Sequence, residues 1–205
     1  EIGVRLVGSE MCIRDRFEGV DTMSLTAHKF YGLNGIGLLL KRRNLALEPL
    51  IHGGESTTIY RSGTPTVALA CSLALALDKA MTELPERVER VRSLNARLRT
   101  ELANYPKVRI NSPEAAVPQI LNLSVKDVKG TVFQRELDAK GVCVSVKSAC
   151  SSDGLPSRAV FAVSRDRRNA LSSWRISLSH LTTEEEIKAF LQAFDVCYRE
   201  LTAVH

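Results

Sequence analysis

Apolar residues recur at two different spacings along this chain, and the switches between them predict its elements. Asp21 to Leu25 reads as a short buried strand leading into a loop around Lys29. Gly35-Ile36-Gly37-Leu38-Leu39-Leu40 is an apolar run closed by Lys41-Arg42-Arg43, the pattern of a strand that exits to solvent. His52 to Thr58 lacks periodicity and reads as a loop. From Pro65 the spacing becomes helical, with Leu69, Leu73, Leu77 and Met81 on one stripe and the proline at the tolerated first turn. Pro85 interrupts that run. A more charged helix follows, with Val88, Val91, Leu94, Leu98 and Leu102 on one face, so the interruption predicts a domain boundary.

Beyond it strand and helix patterns alternate. Val108 to Ile110 and Gln119 to Val125 predict strands, and Thr131 to Lys140 a helix ended by Gly141 in the left-handed capping position. Val142 to Val146 predicts another strand. Leu155-Pro156-Ser157 opens a helix through Ala162, and Trp174 to Leu178 alternates like a strand. Thr182 or Thr183 caps a last helix whose first turn holds Glu184, Glu185 and Glu186, favourable at the positive end of the dipole. The class is α/β.

Composition narrows the picture. The 205 residues suffice for one large or two small domains, and 44% hydrophobic with 25% charged residues is ordinary for a globular protein. The net charge of +5 comes without a basic block, which argues against direct nucleic-acid binding. No apolar run reaches membrane-spanning length, and no membrane partner is expected. The five cysteines form no C-x-x-C pair and no disulfide framework, so a reduced, cytoplasmic setting is expected. Residues 1–16 have no clear period. Leu6 to Arg16 resembles the translation of a sequencing adapter, so a non-native segment is expected there, with natural sequence resuming near Phe17. Cys12 is given no function for that reason.

Two distant segments carry candidate chemistry. Ser24-Leu25-Thr26-Ala27-His28-Lys29-Phe30-Tyr31-Gly32 sets a lysine at a strand-to-loop junction, and Ser148-Ala149-Cys150-Ser151-Ser152 sets a cysteine among small residues. A lysine can hold an aldehyde cofactor as a Schiff base, and a cysteine can accept sulfur. Together they point to pyridoxal 5'-phosphate chemistry on a thiol-bearing amino acid. Lys29 follows an apolar strand, so partial burial and a lowered pKa are expected; the alternative is a solvated side chain. His28 could stack, hydrogen-bond or pack, and Thr26 could meet a phosphate or serve only the strand. Thr64, in Arg61-Ser62-Gly63-Thr64-Pro65, could seat a phosphate at a helix start or cap that helix. Cys71, Cys143 and Cys197 fit the description of small buried hydrophobes; Cys150 follows its strand, with Lys147 beside it to favour the thiolate. No metal-ligand spacing joins the cysteines to the histidines, so no metal is expected. Arg175, between apolar neighbours, could face solvent or clamp a substrate carboxylate. Asn122 lies in a strand expected to be buried, where pairing with backbone competes with binding substrate.

The order of these pieces resembles the cysteine desulfurases, class V aminotransferase-like proteins of the pyridoxal-phosphate type. The matching segments are Thr26-Ala27-His28-Lys29, Tyr31-Gly32, Gly35-Ile36-Gly37, His52-Gly53-Gly54, Arg61-Ser62-Gly63-Thr64, Gln119-Ile120-Leu121-Asn122, Ser148-Ala149-Cys150, Trp174-Arg175-Ile176-Ser177-Leu178 and Thr182-Thr183-Glu184-Glu185-Glu186. The resemblance implies a fold-type-I fragment, with the end of the large cofactor domain over 17–84 and the small domain over 85–205. It implies Lys29 as Schiff-base lysine and proton shuttle, Thr26 and His28 at the cofactor phosphate, and Thr64 at the phosphate held by the other subunit of a homodimer. Arg175 would hold the carboxylate of L-cysteine, and Cys150 would take its sulfur as a persulfide, leaving L-alanine. Sulfur-acceptor proteins would follow, with iron–sulfur cluster assembly, thiamine synthesis and tRNA thiolation all open.

Val146 and Lys147 stand where the family often has a small residue and glycine before Ser-Ala-Cys. The family's ring-stacking histidine, pyridinium aspartate and most of its phosphate loop are expected upstream of Phe17, so this chain alone is expected to be inactive. Alternatives are another class V enzyme, either an aminotransferase or a selenocysteine lyase, and a non-catalytic paralogue that binds sulfur-carrier partners.

Overall fold

A computed structural model of the chain describes residues 20–54, 58–146 and 156–203. They form two compact units that divide between Leu84 and Pro85.

The first unit is built on a two-stranded antiparallel ribbon. β1 (Thr22–Thr26) pairs with β2 (Gly37–Lys41) from Thr22 opposite Lys41 to Thr26 opposite Gly37. A 3-10 turn over Ala27–Phe30 leaves β1 directly. α1 (Val67–Thr82) lies beside the turn: Leu33 N donates to Ser72 Oγ at 3.4 Å, and Leu69 Cδ1 lies close to Gly35. β1 was expected to be buried. Within this unit it is at most half-buried, because a two-stranded ribbon with one helix has no second layer to cover its other face. α1 begins two residues after Pro65, and its stripe is buried at Leu73 but exposed at Met81.

The second unit has a true core. α2 (Leu84–Leu102) carries Pro85 inside its first turn rather than at a break, where the missing N–H costs nothing; the interruption itself is Glu83. β3 (Val108–Ile110), β4 (Ile120–Val125) and β5 (Ser173–Ser177) form one antiparallel sheet in that order. α3 (Gly130–Asp138), α4 (Arg158–Ser164), α5 (Arg167–Ser172) and α6 (Glu184–Thr202) complete it.

Period-two alternation gives the sheet two unlike faces. Leu121, Leu123, Val125, Trp174 and Ile176 point to one side. They pack with Leu94 and Leu98 of α2, Phe133 and Leu137 of α3, and Phe190 and Phe194 of α6. Phe133 stacks on Trp174 at 5.1 Å between ring centroids, and Phe194 meets Phe133 at 5.2 Å and Tyr105 edge-on at 5.0 Å. The other face carries Arg109, Asn122, Ser124, Ser173, Arg175 and Ser177.

Local signals explain most ends. Thr183 caps α6 in a reciprocal box: Glu186 N donates to Thr183 Oγ1 at 3.1 Å, and Thr183 N donates to Glu186 Oε2 at 2.8 Å. Arg90 ties α2 to that corner by donating to the carbonyls of His180 and Thr182. Gly141 takes the left-handed conformation at φ 78°, and Val142 N donates to Leu137 O while Gly141 N donates to Asp138 O, closing α3 as expected. α4 starts after Ser157, whose Oγ accepts from Val160 N; Leu155 lies outside the described residues. The strand expected over Val142 to Val146 is reduced to one bridge, Ser145 opposite Arg175. Gln134 Nε2 takes the Val144 carbonyl at 2.9 Å, which removes that acceptor from any ladder.

Thr183→Ala removes one half of the capping box and should destabilise the second unit by about 1 kcal/mol. A urea titration followed by Trp174 fluorescence measures it, with Thr183→Ser expected to restore most of the loss.

Candidate active site

The lysine segment is shaped by close backbone approaches. Ala27 is fully buried, and its N–H donates to the Ile36 carbonyl at 3.2 Å. The chain then makes the 3-10 turn, closes with Tyr31 in the left-handed region at φ 70°, and returns with Gly32 N donating to Ala27 O at 2.9 Å. A Cβ on Gly32 would sit 2.8 Å from the Ala27 Cβ, so only glycine lets the turn close. Thr26 Oγ1 and His28 Nδ1 are 3.0 Å apart, so these two predicted phosphate ligands engage each other. Lys29 and His28 are both exposed on this turn. The partial burial expected for Lys29 is therefore absent within the unit: the 3-10 turn carries its side chain away from Ala27, the only buried residue of that segment. Among the described residues its ammonium has no hydrogen-bond or ion-pair partner.

Ser62 joins two of the predicted motif segments. Its N–H donates to the Ile51 carbonyl at 3.2 Å, and a Cβ on Gly53 would lie 2.8 Å from its Oγ. Thr64 follows Gly63, which has φ 103°. The capping role left open for Thr64 falls to Thr66 by position, so the Thr64 hydroxyl is not consumed by α1. Thr64 is exposed.

The polar sheet face brings two other predicted residues together. Asn122 and Arg175 are direct cross-strand partners, so their side chains leave the sheet on the same side. Ser145 flanks Arg175 on its other edge, with backbone hydrogen bonds of 3.1 and 2.7 Å. Arg175 Nε donates to Ser177 Oγ at 3.1 Å, and its guanidinium has no acid partner among the described residues. Asn122 was expected to favour backbone partners. Its side-chain Oδ1 instead accepts from Asn111 Nδ2 at 2.9 Å. Asn111, Ser124 and Asn169 complete a hydrogen-bonded group that the pattern analysis missed. Asn111-Ser112-Pro113 reads only as a turn, and the one local signal for α5 is Asp166, whose carboxylate caps it through Arg168 N and Asn169 N.

Cys150 and its neighbours Ser148 to Ser152 lie outside the described residues, as do Cys12 and residues 1–16. Of the other cysteines, only Cys197 is buried as expected. Cys71 and Cys143 are exposed, because one lies off the buried edge of α1 and the other in the segment that fails to become a strand. Burial pushes the Cys197 thiol above its ordinary value. No helix among the described residues is long and apolar enough to cross a membrane.

Residues 14–190 match the aminotransferase class-V family. The chain is 34% identical over 189 residues to a protein of Dictyoglomus turgidum named cysteine desulfurase IscS, covering 91% of this chain and 48% of that relative. It is 40% identical over 172 residues to one of the same name from Cronobacter sakazakii, covering 82% and 42%. The solved structure of a NifS-like protein superimposes with a TM-score of 0.76 at 32% identity, covering 90% of this chain and 47% of that one. A NifS-like protein from Rickettsia africae superimposes equally well, with a TM-score of 0.76 at 28% identity, covering 88% and 48%. The chain thus spans about half the length of the curated relatives it matches.

Iodoacetamide at neutral pH should modify Cys71 and Cys143 in the native chain and leave Cys197 untouched until denaturant is added. Peptide mass spectrometry reads this directly. Native labelling at Cys197 would contradict the packing of α6 against the sheet.

Proposed function

This chain belongs to the class-V aminotransferase family and carries part of the fold-type-I architecture of pyridoxal-phosphate enzymes, and on that premise we propose that it serves a pyridoxal-phosphate-dependent cysteine desulfurase. The match to cysteine desulfurases along 91% of the chain carries this reading. The side chains support it: a primary amine without a partner among the described residues stands beside a hydroxyl and an imidazole on one turn, and a guanidinium stands opposite an amide on a polar sheet face. In this reading 17–84 belongs to the large cofactor domain and 85–205 is the small domain.

The lysine turn fits a group bearing both an aldehyde and a phosphate. Lys29 Nζ would take the aldehyde, and Thr26 Oγ1 and His28 would exchange their mutual hydrogen bond for the phosphate. When bound, pyridoxal 5'-phosphate supplies an electron sink that labilises bonds at the substrate's α- and β-carbons. Lys29 Nζ carries the proton to and from substrate carbon. Arg175 and Asn122 bind the L-cysteine carboxylate and orient the amino acid. Cys150 lies five residues beyond Ser145, a tether of at most about 18 Å. Its thiolate attacks the substrate sulfur, an S–S bond forms, and the Cβ–Sγ bond breaks. The balance is L-cysteine plus a Cys150 thiol giving L-alanine plus a Cys150 persulfide. The persulfide passes to an acceptor protein in the cytoplasm, for pathways such as iron–sulfur cluster assembly or tRNA thiolation. Thr64 reaches the cofactor phosphate of a second copy in a homodimer.

In the full-length protein, Lys29→Ala should abolish the visible absorbance of bound cofactor, and Cys150→Ala should abolish sulfur transfer. Absorbance retained without Lys29, or sulfur transfer retained without Cys150, would exclude that residue from its role. Arg175→Ala should raise KM for L-cysteine about ten- to a hundredfold, the effect of losing a charge-assisted contact. The 205-residue chain by itself should release little or no alanine from L-cysteine.

A further inference from the structure

The polar face of the three-stranded sheet carries a line of hydrogen bonds whose direction is set by a group that cannot reverse. The backbone carbonyl of Asn169 can only accept, so Ser124 Oγ, 3.0 Å away, spends its one proton there. That hydroxyl is left to accept from Asn111, and the Asn111 atom 2.8 Å from it is therefore Nδ2. The second Nδ2 proton goes to Asn122 at 2.9 Å, so Asn122 must turn Oδ1 towards Asn111. On its far side Asn111 Oδ1 accepts from Asn169 Nδ2 at 2.9 Å, which fits the same direction. Ser124 and Asn169 are buried, with exposures of 2% and 8%, so water has little access to reverse the order.

The consequence falls on Asn122. Its Oδ1 is taken, and its Nδ2, which can only donate, is the end left for an outside partner. Arg175 stands directly opposite on the same face, with Nε held by Ser177 and its two terminal nitrogens unpartnered among the described residues. We propose that Asn111, backed by Ser124 and Asn169, is a positioning residue that fixes Asn122 as a donor beside Arg175. The pair then presents donors alone, and it selects a carboxylate over a neutral carboxamide of the same shape. This rests on the reading that the polar face holds the carboxylate of an α-amino acid, and it adds how that face tells an acid from its amide.

The test uses the full-length holoprotein with two probes, L-alanine and L-alaninamide, whose dissociation constants are read by calorimetry. Asn111→Asp keeps the size of the side chain but offers oxygen on every side. Asn122 must then turn Nδ2 inwards and Oδ1 outwards. The preference for L-alanine over L-alaninamide should fall about tenfold, chiefly through weaker L-alanine binding. Ser124→Ala removes the anchor without adding charge, so Asn111 can take either orientation. There the preference should fall about two- to threefold, which long-range repulsion cannot explain. Because the preference is a ratio within each variant, general loosening cancels.

An unchanged preference in both variants, or equal weakening of both probes, overturns the proposal. Alanine release from L-cysteine is measured on the same wild-type sample. Turnover with an unmoved preference removes the relay and leaves the desulfurase reading. A shifted preference without turnover keeps the relay and removes that reading. Failure of the wild type to prefer L-alanine removes the clamp altogether.

Discussion

The register of β4 against β5 is the constraint on which the second unit depends. Trp174 and Ile176 can fill the core only if Ser173, Arg175 and Ser177 face the other way, and the same alternation sends Leu121 and Leu123 inwards and Asn122 and Ser124 outwards. A slip of one residue would drive the Arg175 guanidinium into the space between Phe133 and Phe194. Burying that charge without a partner costs several kcal/mol or more, so the aromatic packing and the placement of Arg175 opposite Asn122 are one property seen from two sides. The core thereby sets the polar face.

The first unit works by a different logic. It has little core of its own, with Ala27 and Leu73 its buried apolar residues among those described. Its precision lies in backbone fit. Gly32 lets the lysine turn fold back on Ala27, and at Gly37 a Cβ would stand 2.8 Å from the Leu25 carbonyl, so the ribbon closes only around a hydrogen atom. Among the described residues, Lys29 is held by where the chain must go rather than by hydrogen bonds or ion pairs to its own side chain. Such a residue keeps its freedom to engage a ligand.

How much was legible follows from this contrast. The apolar stripe of α2, the strands β3 to β5 and a cap for α6 at Thr182 or Thr183 all stand in the sequence, because periodicity and capping are local. Gly141 was legible for the same reason. The burial of Lys29 and of β1 was misjudged, since burial depends on layers that a strand pattern presumes but does not supply. Val142 to Val146 has β-branched residues at alternate positions, yet a side chain on α3 takes its carbonyl, a long-range event without a local signature. The segments matched to the cysteine desulfurases did identify the family, and Arg175 and Asn122 both stand in them, but only the register of β4 against β5 set the two opposite each other. They were silent on Asn111 and Asn169, which lie 58 residues apart and meet only once α5 folds over the sheet.

That meeting also explains why the polar face uses amides rather than acids: each amide both donates and accepts, whereas ionised carboxylates only accept and repel one another. Asp166 accepts from the Asn169 N–H beside this group and is already engaged: it caps α5 and lies 3.8 Å from Arg109. A carboxylate at position 111 would still accept from Asn169 but could donate to neither Ser124 nor Asn122, and it would draw on the field of Arg175, which the proposed clamp keeps open for an incoming anion. Neutral amides transmit direction without adding charge. A guanidinium alone attracts any anion; a guanidinium beside an amide whose polarity is fixed from behind distinguishes an acid from its amide. In the proposed clamp, selectivity would reside less in Arg175 than in the buried carbonyl of Asn169, which acts only through Ser124 and Asn111.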